Sequence, residues 1–343
     1  MKTPTRRETL QRMACLAAVI ALDHTTAHGA ADPGSAALAA PSGKTPPAAD
    51  SENGYAIGHS SNFHAIYQDP QLKAAFLLFL TNVYHLYPEA DFHQLIAQAV
   101  HDGKTDQQIY NLVQSRLNQV TPLLADLRFA LPALAKQKGE MARQTLRFLG
   151  PSPKINGYME IGTTGRYISR LKSELALSGD LVLLSIARPS YSLIDIAERG
   201  QLTRLGRYVP LQDYAPISPA NVPDQSLDLV ANYIGFHHSP PARRDAFVRS
   251  VARVLRPGGR LILRDHDVNS DDMNRMVALA HDVFNMGLGL PWQSNQREIR
   301  NFTSLAAMVS YLDGFGLKSV SAHHPEFQAG DPTHNGLMEF VKI

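Results

Sequence analysis

One stretch restricts the fold of this chain more than any other: Tyr158-Met159-Glu160-Ile161-Gly162-Thr163-Thr164-Gly165-Arg166-Tyr167. An apolar run with an acid near its end, followed by two closely spaced glycines, predicts a buried strand, a tight turn and a helix beginning near Arg166. A strand–turn–helix unit of this kind at the first crossover of an α/β sheet is where nucleotide-type cofactors are received. Glycine lets the backbone approach the ligand closely, and the helix start offers N–H groups without partners.

The surroundings agree with that reading. Pro151-Ser152-Pro153 marks a boundary, and beyond it strand-like and helix-like segments alternate. Strands are expected at 157–161, 180–185, 207–211, 227–233, 259–265, 317–322 and 336–342. Helices are expected near 166–177, 190–200 and 241–255 between the first five strands. Alternation implies a mostly parallel sheet joined by crossovers. The expected fold class is α/β: a Rossmann-like, seven-stranded, mostly parallel sheet with helices on both faces, preceded by a small helical domain. The last two strands read as a closing, hairpin-like pair.

Four domains follow from composition. Residues 1–30 carry Arg6-Arg7, an apolar run from Met13 to Leu22 and small residues near Ala27-His28-Gly29-Ala30, which is the layout of an export signal of twin-arginine type. The expected localisation is therefore periplasmic, or cytoplasmic if this segment is not a signal. Cys15, the single cysteine, lies within it, so no disulfide or cysteine-based site is expected beyond it. Residues 31–62 are an Ala/Pro/Ser linker that cannot build a core. Residues 63–150 show helical periodicity: Asp69-Pro70 and Thr105 with Gln108 are helix starts, Pro88 opens another, and Thr121-Pro122 opens a fourth that Pro132 interrupts. His85, His93 and His101 recur there at eights, across a helix break, which does not make a metal site. Residues 151–343 form the α/β domain.

Within it, Glu160-Ile161-Gly162-Thr163-Thr164-Gly165, Asp213 after the third strand, Pro223 to Val230 leading to Phe236-His237-His238, and Val254-Leu255-Arg256-Pro257-Gly258-Gly259-Arg260-Leu261-Ile262-Leu263 occur in order. On these stretches residues 155–343 resemble the class I S-adenosylmethionine-dependent methyltransferases (methyltransferase type 11-like). The resemblance implies S-adenosylmethionine as cofactor, bound by Glu160, Gly162, Thr163, Gly165, Ser185 and Asp213, and methyl transfer to an unidentified small-molecule acceptor. Pro257-Gly258-Gly259 reads physically as a helix stop and a tight entry into a strand.

Three positions depart from that family. Thr164 and Arg166 stand where glycines are usual, and Ser185 stands where an acid would accept from the ribose hydroxyls. A serine lacks the charge-assisted pair, which weakens binding by on the order of 1.5–3 kcal/mol, ten- to a hundredfold. These departures keep a second reading open: a catalytically inactive, methyltransferase-fold binding or partner protein in the periplasm. The two glycines alone also suit a nicotinamide-binding domain, but that reading leaves the fourth-strand pattern unexplained.

Catalytic candidates sit at the ends of strands four and five. In Arg264-Asp265-His266-Asp267 a histidine flanked by carboxylates makes His266 a candidate general base, with His238 beside it on the neighbouring loop. The same Asp/His cluster suits a divalent ion, as in metal-dependent O-methyltransferases, but it lacks a matching Asp-Asn pair, and no metal is expected. Residues 281–304 read either as a cover over the substrate or as packing against the N-terminal helices. A net charge of +2 gives no electrostatic footprint for nucleic acid, and no transmembrane segment is expected after the signal. Oligomeric state is not legible.

Overall fold

A computed structural model describes residues 61–122, 129, 131–151, 153–320 and 325–343. The expected export signal and nearly all of the linker lie outside these residues.

Eight strands form one sheet: β1 Lys154–Ile161, β2 Ala176–Ser185, β3 Arg207–Pro210, β4 Leu227–Asn232, β5 Leu255–His266, β6 Leu317–Ser319, β7 Glu326–Phe327 and β8 Asn335–Lys342. The order is β3-β2-β1-β4-β5-β8-β6, with β7 paired to β8. The first five strands are mutually parallel, and β8 runs antiparallel to both β5 and β6. Strand order therefore reverses at β1, between β2 and β4, which opens a crevice above the carboxyl ends of these strands. The sheet is Rossmann-like, as expected.

Apolar alternation explains why the sheet lies between two layers. Met159 and Ile161 of β1, Val230 of β4 and Leu261 and Leu263 of β5 share one core with Phe247, Val248 and Val251. Tyr158, Leu229, Ala231 and Ile262, the residues between them, share the opposite core with Met141, Ala142 and Leu149. Successive side chains on a strand point to opposite faces, so a continuous apolar run serves both layers.

The N-terminal helices are α1 Asn62–Gln68, α2 Pro70–Phe79, α3 Glu89–Asp102, α4 Asp106–Arg116 and α5 Leu131–Leu149. Their starts follow the expected signals: the Asp69 carboxylate accepts from the N–H groups of Gln71 and Leu72, and Thr105 Oγ1 accepts from Gln108 N. Pro132 falls in the first turn of α5, where a missing N–H is harmless; the helix expected from Thr121-Pro122 up to it lies almost wholly outside the described residues. Further along come α6 Ile168–Leu171, α7 Leu193–Arg199, α8 Pro241–Val254, α9 Asp271–Gly287, α10 Trp292–Gln296 and α11 Leu305–Asp313.

Two local expectations are corrected. The helix after the glycine turn is one short turn, α6, because β2 already begins at Ala176. β5 starts at Leu255, directly after α8, so Pro257-Gly258-Gly259 lies inside the strand, where its register shifts against β4 between Leu227 and Leu229. The closing strands β6 and β8 pair antiparallel, as expected, with β8 lying between β5 and β6.

Helices α1 to α4 do not pack only on one another. Phe63, Phe79, Tyr84 and Phe92 share a core with Leu279, Val283 and Phe284 of α9 and with Trp292. Tyr84 Oη donates to Val283 O at 3.2 Å, and Tyr110 Oη donates to Leu290 O at 2.8 Å. The segment 281–304 thus packs against the N-terminal helices.

Candidate functional site

At the end of β1 the Glu160 side chain is fully buried and organises the glycine turn. Its carboxylate accepts from Tyr158 Oη at 3.0 Å, Tyr167 N at 3.1 Å and Ile168 N at 2.7 Å, and from Thr163 Oγ1. The N–H groups at the start of α6, expected to face a ligand, are therefore taken by Glu160. Thr163 Oγ1 also accepts from the N–H groups of Gly165 and Arg166, both at 3.2 Å, so the turn is tied internally.

The two departures from glycine have a structural explanation. Arg166 is fully buried and pairs with Glu198 of α7 at 3.0 Å, and Thr164 Oγ1 donates to the other oxygen of Glu198 at 3.4 Å. Burial raises the Glu198 carboxyl, with the Arg166 charge opposing that shift. Lys138 of α5 donates to Glu198 O at 2.7 Å, and burial, followed by the Arg166 charge, pushes its ammonium down to about 8. The unfolded chain then holds an extra proton between pH 8 and 10.5, so stability rises with pH across that window. Urea unfolding is expected to show that rise in the unaltered chain and a flatter profile in Lys138→Met.

Gly162 has φ +84°, and a β-carbon there would lie 2.1 Å from Ile234 Cδ1. Ile234 follows β4, where Asn232 Oδ1 accepts from the N–H groups of Ile234 and Gly235 at 3.2 and 3.1 Å and turns the chain. Ser185 is buried and donates to Ala187 O at 2.8 Å, so its hydroxyl proton is already used within the loop. Asp213 is exposed, pairs with Arg243 at 3.2 Å, and lies in a run of three left-handed residues with Gln212 and Tyr214. The structure brings Glu160, Gly162, Thr163 and Gly165 together and sets Ser185 beside them, since Gly162 N donates to Leu184 O at 2.7 Å; Asp213 follows the end of β3.

Histidines gather where β4 and β5 end. His237 Nδ1 lies 2.6 Å from Asp265 Oδ1, and Asp265 also accepts from Phe236 N at 3.0 Å and His266 N at 2.9 Å. Burial alone would raise the Asp265 carboxyl, but the His237 and His266 contacts outweigh it and hold it low. An ionised Asp265 accepts from His237 Nδ1–H, and His237 Nε2 is buried with no hydrogen-bond partner among the described residues. Gly235 is required here: at φ +86° a β-carbon would lie 2.6 Å from His237 Nδ1.

His266 bonds through Nδ1 to Thr333 O at 2.9 Å and through Nε2 to Asn335 at 3.3 Å. Burial and the His237 charge lower it to about 3, which keeps it neutral and makes it a weak base near pH 7. His238 Nδ1 lies 3.1 Å from Ile299 O. His281 of α9, which sequence reading did not single out, stacks among these rings, with centroids 5.3 Å from His237 and 5.4 Å from His238. Its sequence signal is weak: a histidine on a helix that is otherwise buried along its second half. A cavity of about 30 Å³ lined by Tyr233, Ile234, His237, His266 and His281 adjoins the cluster. The neighbouring segment is held by Arg300, which bonds Glu298 at 2.7 Å, Asp282 at 2.8 Å and Asn295 at 2.7 Å.

Residues 163–263 match the family model described as a methyltransferase domain. The matched span runs from the glycine turn to β5, and it indicates S-adenosylmethionine as the cofactor. No curated protein matches. Among solved structures the chain is similar to the 1,6-didemethyltoxoflavin-N1-methyltransferase of Burkholderia thailandensis, with 13% identity, 67% of this chain and 87% of that chain covered, and a TM-score of 0.39. It is also similar to the mitomycin 7-O-methyltransferase MmcR (15%, 82% and 71%, 0.42) and to a possible histamine N-methyltransferase from Thermotoga maritima (15%, 61% and 92%, 0.38). These are likenesses at low identity; the family model, not these structures, connects the chain to methyl transfer.

At the crevice, Ala187, Arg188 and Asp213, at the ends of β2 and β3, are exposed, which suits an adenosine group, whereas the Ile234 side chain lies against Gly162, where the methionine part would pass. No helix among the described residues is long and apolar enough to cross a membrane.

Proposed function

We propose that the protein transfers the methyl group of S-adenosylmethionine to a small-molecule acceptor held where β4 and β5 end. The observation that carries this reading is the convergence of the Gly162 turn, the Asn232–Ile234 turn and the His237–Asp265 pair at the point where strand order reverses. When bound, S-adenosylmethionine supplies an electrophilic sulfonium methyl. The chain supplies alignment: Glu160 and Thr163 fix the turn, Gly162 admits close approach, and Asp213 at the end of β3 receives the adenine end. Asp265 holds His237 through Nδ1 beside the place the acceptor would occupy. His238 and His266 frame the same place.

The test is calorimetric titration of the full chain with S-adenosylmethionine and S-adenosylhomocysteine. Micromolar binding is expected, and Gly162→Asp should abolish it. No heat and no thermal shift at millimolar ligand would overturn the proposal. Ile234→Ala, by clearing the methionine end, is expected to tighten S-adenosylmethionine binding roughly tenfold, since the binding-competent arrangement would no longer require a seated side chain to leave. An unchanged or weaker affinity in that variant would place the cofactor elsewhere. The N-terminal segment supports a further proposal, export of the folded chain; an intact Met1 found by mass spectrometry of the native protein would overturn it.

A further inference from the structure

We propose that His237, His238 and His281 form a binding site for a first-row divalent transition-metal ion. One ring nitrogen of each lies within 4.8 Å of the others, and all three residues are buried. A metal equidistant from three nitrogens at that spacing would be about 2.8 Å from each, so each ring must move by about 0.7 Å to reach the ~2.1 Å of a metal–imidazole bond. That is within ordinary side-chain adjustment.

The groups behind the rings are those that metal-bound histidines use. A ligating imidazole generally gives its other N–H to a carboxylate or a backbone carbonyl, which fixes the tautomer and aims the free nitrogen inward. Here Asp265 serves His237 at 2.6 Å and Ile299 O serves His238 at 3.1 Å. Glu298 lies 3.6 Å from His281 Nδ1 and 3.8 Å from His238 Nδ1, so it adds negative charge at the edge of the cluster without completing a hydrogen bond to either ring. The ligands come from two elements, the loop after β4 and helix α9, and the Arg300 network pins the intervening segment.

Ring stacking alone does not account for the cluster. Phenylalanine would stack as well and carry no polar atoms, whereas these rings bury His237 Nε2 and His281 Nδ1 without hydrogen-bond partners among the described residues. Buried polar atoms left unsatisfied are costly and rare. A cation resolves the cost by using the lone pairs. Three imidazole nitrogens favour zinc, iron, nickel or copper over magnesium or calcium. Three protein ligands leave a further coordination position, and the 30 Å³ cavity beside His237 and His281 has room for a water or an acceptor heteroatom. On the methyl-transfer reading, which this last step rests on, the ion would orient the acceptor and lower the pKa of its nucleophilic group, with His237 acting as a ligand and not as the base.

The experiment uses the full chain, produced without a histidine tag and stripped with a chelator. Zinc(II) is titrated by calorimetry and thermal shift, and cobalt(II) by visible absorption. The expected result is one ion per chain, a raised Tm and the visible bands of a low-coordinate nitrogen site. His281→Asn should abolish them. Asp265→Asn should weaken binding ten- to a hundredfold through His237, and His101→Ala, on the exposed surface, should change nothing. If His281→Asn fails to fold, paramagnetically shifted imidazole resonances in the unaltered cobalt-loaded chain decide the question. Absence of binding at millimolar metal would overturn the site, as would binding unaffected by His281→Asn. All readings are taken without S-adenosylmethionine, so failure of the cofactor titration and failure of this site are separate results.

Discussion

Arg166→Met is expected to destabilise the protein by about 3–5 kcal/mol, measured by urea unfolding, because it leaves the Glu198 carboxylate buried beside the lost partner. Both side chains are almost wholly inaccessible, and the pair is 3.0 Å apart. The informative variant is the double one. Removing both charges, as in Arg166→Met with Glu198→Leu, is expected to restore most of the loss, since desolvation of the pair cancels much of its attraction. The resulting coupling energy separates the ion pair from simple packing. A single substitution costing under ~1 kcal/mol would show that the pair is hydrated and loosely held. The departure from glycine at this position is thus not a defect of the turn. It anchors the turn to α7, which a glycine could not do.

Glu160→Ala is expected to be at least as damaging, about 4 kcal/mol or more, since several buried donors lose one acceptor together. Two of them, Tyr167 N and Ile168 N, are backbone groups that cannot turn toward water. Glu160→Gln keeps the volume but presents an amide N–H to some of these donors, and about half that loss is expected. Calorimetry on whichever variant folds should show S-adenosylmethionine binding lost together with the turn. If Glu160→Ala unfolds at the same urea concentration as the unaltered chain, the carboxylate does not hold the turn.

Much of the fold could be read from local pattern. Apolar runs of strand length gave β1, β2, β4 and β5 within a few residues, because a strand buried on both faces has to be continuously apolar. Asp69 and Thr105 announced their helices, since capping depends on residues three apart in the chain. Errors came where a tertiary constraint overrode local chemistry. Pro257-Gly258-Gly259 does follow a helix end, at Val254, but β5 begins before it and carries it as an irregularity that the pairing with β4 passes over, from Leu255 to Arg260. The helix expected from Arg166 onward is cut to one turn because β2 needs the residues from Ala176 to reach along β1.

The sequence by itself determined that an acid and two glycines end the first strand of a Rossmann-like sheet, and that a pair of histidines follows the fourth. Both statements rest on neighbours in the chain. Only the tertiary structure decided what these residues touch. Glu160 serves the turn itself, Ile234 lies over Gly162, Arg166 reaches Glu198, and His237 and His238 meet His281 from a different element. The physical reason is that strand order and helix placement bring together residues tens of positions apart, and local propensity carries no record of those distances.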